Sequence, residues 1–202
     1  MRRSAALVLV ATSLLAAGCG GASREDGGSQ EESASAAVEA AQPMVAEGTF
    51  GSYSPTSVAV TYDPSLVPPG ATARLTIAEI ADATTVTLDV GGMKPDRTYG
   101  AHLHTKPCGA TGTAAGPHYQ HRPDPAASAS PPSVNPTYAN PQNEVWLDFT
   151  TDSQGTGISK STQPWRFTTK PQSLIIHAQK TQTAPGKAGI AGPRLACLTV
   201  KG

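Results

Sequence analysis

Four of the five histidines in this chain, His102, His104, His118 and His177, fall in one region, and two cysteines, Cys108 and Cys197, flank it. His102 and His104 are separated by one residue in the strand-like run Thr98–His104. Their imidazoles therefore point to the same face and can hold one ion, while Leu103 turns the other way, into a core. His177 closes the apolar run Leu174-Ile175-Ile176. Imidazole nitrogens at these spacings suit a copper site. Taken singly, each histidine also fits a plainer role: a His-x-His pair can line a polar surface, and an imidazole at the end of an apolar strand can be a hydrogen-bonded core residue. Their conjunction beside Cys108 and Cys197 is what points to a metal.

The elements that must position these side chains are strands. Runs rich in β-formers span Thr56–Tyr62, Ala71–Glu79, Thr84–Val90, Thr98–His104, Glu144–Thr150, Thr156–Ser161, Ser173–His177 and Arg194–Val200, with turn chemistry such as Gly91-Gly92 and Lys94-Pro95-Asp96 between them. No segment sustains a helical period, so the pattern predicts an all-β, antiparallel sandwich or barrel of about eight strands. Two connections are too long for hairpins, Thr105–Asn143 and Ala178–Pro193. Long connections in a compact domain are commonly functional, and these begin just after His104 and His177.

The 202 residues, 38% apolar and 5% aromatic, suit one small β domain with a tether. Arg2 and Arg3, the apolar run Ala5–Leu15 and then Ala16-Ala17-Gly18-Cys19 read as a secretory signal with a lipobox-like end. The expected organisation is a signal peptide at 1–18, a lipid-anchored flexible tether at 19–48 beginning at lipidated Cys19, and a β domain at 49–202. Residues 20–48 hold almost no large apolar side chains and cannot bury enough surface to offset ordering entropy. Lipidation of Cys19 leaves Cys108 and Cys197 either to pair, as an oxidising compartment allows, or to stand as unrelated buried thiols. The tether carries one basic and six acidic residues, and the domain twelve basic and nine acidic. That balance fits an anionic substrate and equally an ordinary solvated surface. No nucleic-acid patch, phosphate loop, paired carboxylates or nucleophile–base motif is present, and Trp146 and Trp165 read as packing residues.

Gly100-Ala101-His102-Leu103-His104, Cys108-Gly109, Ala115-Gly116-Pro117-His118-Tyr119 and the block Ala188-Gly189-Ile190-Ala191-Gly192-Pro193-Arg194-Leu195-Ala196-Cys197 resemble, in order and spacing, the Cu,Zn superoxide dismutase family. The resemblance spans about residues 56–200 and implies an eight-stranded Greek-key β-barrel. Carried over position by position, it implies copper ligation by His102, His104, His118 and His177, with His118 at the position that bridges copper and zinc. It implies that Arg194 guides and holds the superoxide anion, and that Cys108 and Cys197 form the intrasubunit disulfide. The zinc side departs from the pattern. Between His118 and Glu144 the family carries two more histidines and an aspartate, and this loop has only His121 and Asp124, from which, with His118, only a different zinc site could be built. Thr181 stands about where the family carries a linking aspartate. The resemblance thus implies a copper-only superoxide dismutase, and the lipobox-like end of the signal adds the expectation that it is extracytoplasmic and attached to the cell membrane through its N-terminal lipid. The competing expectation is a copper-binding or storage lipoprotein without turnover, which has no need of Arg194.

Overall fold

The computed structural model describes residues 42–128 and 131–201; the expected signal peptide, Cys19 and most of the tether lie outside the described residues. Within them the strands are β1 (Met44–Thr49), β2 (Ala59–Thr61), β3 (Thr72–Ile80), β4 (Ala83–Gly91), β5 (Thr98–His104), β6 (Phe149–Thr150), β7 (Gly157–Gln163), β8 (Ser173–His177) and β9 (Arg194–Thr199). They form a four-stranded sheet in the order β1-β3-β4-β7 and a five-stranded sheet in the order β2-β9-β8-β5-β6. Every strand pairing is antiparallel. The all-β expectation holds as a two-sheet sandwich, and no closed barrel forms among the described residues.

Period-two alternation builds the core. Leu75 and Ile77 on β3 and Val86 and Leu88 on β4 turn inward toward Tyr99, Ala101 and Leu103 of β5 and Leu174 and Ile176 of β8, all buried. On β7 every second residue faces out, which marks a sheet with one wet face. The five-stranded sheet differs: β8 is buried along its whole length and β5 everywhere but Thr98. Its inner face packs on the other sheet. Its outer face, bearing His102, His104, Ile175 and Cys197, is covered by the two long connections. Gly100 lets the second of them lie close, since a Cβ there would sit 2.5 Å from the Gln179 carbonyl oxygen and 2.7 Å from Ala191 Cβ.

Three expectations need correction. Strand β1 begins at Met44, inside the segment expected to be tether, and pairs Met44–Thr49 with Ile77–Thr72. Only Ala46 of its six residues is buried, so composition gave no strand signal; a backbone ladder holds it. The expected strand Glu144–Thr150 is paired as strand only at Phe149–Thr150, with isolated bridges at Glu144 and Trp146. The expected strand from Thr56 shortens to Ala59–Thr61.

The register of β9 against β8 shifts between Ile176 and His177, so that His177 lies opposite Arg194 rather than Leu195. A one-residue slip moves side chains to the opposite face. Here it keeps Leu195 in the core and puts Arg194 on the outer face with His177.

Cys108 and Cys197 are joined, with Cα atoms 5.7 Å apart across 89 residues of sequence, which fastens the first long connection to β9. Cross-linking so distant a pair restricts the unfolded chain strongly. Reduction, or replacement of both cysteines by serine, should lower the unfolding free energy by about 2–4 kcal/mol in urea titrations.

Candidate metal centre

Backbone pairing brings the four histidines together. His102 and His104 project from the outer face of β5, and Gly100 pairs with His177 across β8. His118 is bridged to His104 by the returning first connection, whose Tyr119 N–H donates to the Leu103 carbonyl at 2.8 Å. The imidazole of His102 lies 4.1 Å from that of His118 and 4.9 Å from that of His177, centre to centre. One ring nitrogen from each histidine lies within 4.8 Å of those of the other three. Two nitrogens on one ion at about 2 Å each stand at most about 4 Å apart, so a small contraction completes a four-imidazole site. Among the described residues these four histidines form the only group of three or more His, Cys, Asp or Glu side chains close enough to share an ion.

The other ring nitrogens are spent on the protein. His104 Nδ1–H donates to the Gly116 carbonyl at 3.0 Å, and His177 Nδ1–H to the Gly192 carbonyl at 3.2 Å. His118 Nδ1 meets Glu144 Oε2 at 2.8 Å, and His102 Nε2 meets Thr181 Oγ1 at 2.7 Å. Thr181 is thus no lost contact: its hydroxyl donates onward to Asp148 Oδ1 at 2.6 Å. What remains is His102 Nδ1, His104 Nε2 and His177 Nε2, three buried nitrogens without a hydrogen-bond partner. Buried polar atoms are almost always paired, so three orphans aimed at one point mark a place for an ion. The donor set, neutral nitrogens alone, suits copper.

Arg194 Nη1 donates to the Gly112 carbonyl at 2.8 Å, which carries the guanidinium over the first connection. With His118 and His177 it lines a cavity of about 530 Å³. Burial pulls its pKa down, while the guanidinium remains charged. The cavity therefore puts a fixed cation beside two of the four imidazoles, those of His118 and His177.

Sequence reasoning missed Glu144 and Asp148. Glu144 is buried and accepts three hydrogen bonds, from His118 Nδ1, from Gln120 Nε2 at 2.8 Å and from Trp146 Nε1 at 2.7 Å. Trp146 therefore does more than pack. The available signal was an acidic residue at each end of the apolar stretch Val145-Trp146-Leu147. His121 and Asp124 line the same cavity but do not join the cluster. The His121 ring stacks on Trp165 at 4.6 Å, and Asp124 accepts from Ser133 Oγ at 2.6 Å and from the Ala126 amide at 2.9 Å. Zinc in the bridging arrangement does not fit, because Glu144 already holds the His118 nitrogen that would face a second ion.

Burial and the neighbouring His118 hold His102 and His104 well below the ordinary histidine range, and burial first, then His118, lowers His177 to about 3. These rings stay neutral when folded and take protons on unfolding once the pH falls below about 6.5, so the unfolded state binds more protons there. Stability of the metal-free protein should be full above pH 6.5 and decline as the pH falls toward 3, by up to about 1.4 kcal/mol per pH unit for each histidine. Urea unfolding at several pH values checks this.

The sequence model described as copper/zinc superoxide dismutase matches residues 71–200. The fold is similar to that of the Cu/Zn superoxide dismutase from Brucella abortus, with a TM-score of 0.53 and 18% identity over 79% of this chain and 100% of that one. A double mutant of a SOD-like protein from Bacillus subtilis matches with a TM-score of 0.49 and 16% identity, over 64% of this chain and 89% of that one. No curated protein sequence matches. With a family model matching residues 71–200, which take in strands of both sheets, and its four histidines gathered over the five-stranded one, the chain belongs to the copper/zinc superoxide dismutase family.

Proposed function

We propose that this protein is a copper-dependent superoxide dismutase that works without zinc. The observation that carries the reading is the convergence of unpartnered imidazole nitrogens beside the Arg194 guanidinium. His102 Nδ1, His104 Nε2, His118 Nε2 and His177 Nε2 would hold one copper. Copper there supplies a one-electron couple, oxidising one superoxide to dioxygen and reducing the next, with two protons, to hydrogen peroxide.

The protein's own contribution starts with the anion. Arg194, anchored through Nη1 at Gly112, turns its remaining donors to superoxide in the cavity and holds the charge where a neutral imidazole cluster alone would not. Glu144 keeps the His118 proton on Nδ1 and so directs Nε2 to the centre, orienting the ring by hydrogen bonding where the resemblance implies a second metal. The carboxylate is itself immobilised by Gln120 and Trp146, so the His118 ring is held from behind. Residues 1–19 read as a lipoprotein signal, which would attach the domain through Cys19 to the extracytoplasmic face of the cell membrane. The Cys108–Cys197 bond supports an oxidising location.

The copper-loaded protein, freed of excess metal, should accelerate superoxide decay in pulse radiolysis with second-order kinetics. Arg194→Ala should lower the rate constant by about tenfold and flatten its dependence on ionic strength, since the steering charge is gone. Tight copper retention with decay no faster than the buffer's would overturn dismutation in favour of a copper store. Glu144→Ala should leave His118 Nδ1 and Trp146 Nε1 without their acceptor and speed copper loss to a chelator by roughly 10–100-fold. Copper loss at the wild-type rate would remove Glu144 from the account of the site.

A further inference from the structure

We propose that Asp148 and Thr181 are a positioning pair for His102, in which a group that can only accept hydrogen bonds sets the direction of a chain and so leaves the His102 Nδ1 lone pair facing the cluster. The inference rests on the metal-binding reading of the four histidines.

The chain of bonds has one consistent direction. An ionised carboxylate has no proton to give, so Asp148 accepts from every neighbour it meets. Its Oδ2 takes the Thr181 amide at 2.8 Å, and its Oδ1 takes the Thr181 hydroxyl at 2.6 Å and the Ala101 amide at 3.3 Å. A hydroxyl has a single proton, and here it is committed to Asp148. Toward His102 Nε2, 2.7 Å away, Thr181 Oγ1 can then only accept. The proton of the neutral ring must sit on Nε2, which empties Nδ1, the nitrogen that is buried without a partner. His102 has no solvent contact, so water cannot supply an alternative acceptor.

The pair also joins three separate pieces of chain. Ala101 and His102 lie on β5, Asp148 precedes β6, and Thr181 belongs to the second long connection. Asp148 therefore fixes where Thr181 stands before Thr181 fixes the ring. Substitution by asparagine would break the logic without changing the shape. An amide can donate to Thr181 Oγ1, which frees the hydroxyl proton for His102 Nε2 and moves the ring proton to Nδ1, the position an ion needs.

The experiment is long-range proton–nitrogen NMR of the imidazoles in the metal-free full chain at neutral pH, paired with copper competition against a chelator. Wild type and Thr181→Ser should show His102 as the Nε2–H tautomer alone. Asp148→Asn and Thr181→Val, both close in shape to the residues they replace, should populate the Nδ1–H tautomer and weaken copper retention by about tenfold. Retention of the pure Nε2–H tautomer in both variants overturns the proposal, since packing alone would then fix the ring. A wild-type protein with the expected tautomers but no dismutation overturns the functional reading and leaves the positioning pair standing. An active dismutase whose His102 tautomer ignores both substitutions does the reverse.

Discussion

A buried imidazole presents two nitrogens, and the protein must decide which one to satisfy. At this centre it satisfies the outer nitrogen of every ring, with the Thr181 hydroxyl, the Gly116 and Gly192 carbonyls and the Glu144 carboxylate. Those four bonds do two jobs at once. They leave the inner lone pairs converging, and the three made by His102, His104 and His177 pin the long connections to the outer face of a sheet that would otherwise expose Ile175 and Cys197. Removing an outer partner should therefore disturb the roof as well as the ligand. The inner nitrogens are a standing cost to the folded state, of the kind that functional sites carry and packing elsewhere must offset.

Glu144 shows how that arrangement is supported electrically. A carboxylate this deep is tolerable only when donors surround it, and its three donors come from the first connection and from its own strand-like run. Negative charge behind a neutral imidazole makes the ring a stronger donor toward a cation on the other side. The disulfide and the Arg194–Gly112 bond tie the same connection to β9, so it is braced before His118 at Cys108 and Gly112 and after it at Gln120.

Much of this was legible in the sequence because it is short-range. The His-x-His spacing, the apolar run ending in His177 and the alternation of β3 and β4 each follow from local geometry, and β3, β4, β5, β7, β8 and β9 lie within two residues of their expected places. The full set of four histidines came from the family resemblance, since spacing alone joined His102 to His104 and left His118 and His177 with plainer roles. What escaped was long-range or unpatterned. Strand β1 has one buried side chain and is held by its ladder with β3. Glu144 acquires its meaning only when His118 folds back across it, and Asp148 only when Thr181 arrives from 33 residues away. His121 offered, with His118 and Asp124, material for a different zinc site, but its ring stacks on Trp165 and it does not join the cluster.

The register slip at the start of β9 constrains how this chain can change length. Upstream of it, the second connection is anchored at discrete points, and the stretch around Gly186, whose added Cβ would meet nothing within 4 Å, has room for insertions and deletions. Between Gly192 and Ala196 there is no such freedom. One residue lost or gained there would exchange Arg194 and Leu195 between the wet and dry sides of the sheet, placing a guanidinium in the core and an aliphatic chain in the cavity. Descendants of this sequence can therefore vary the loop, but they must conserve its final count.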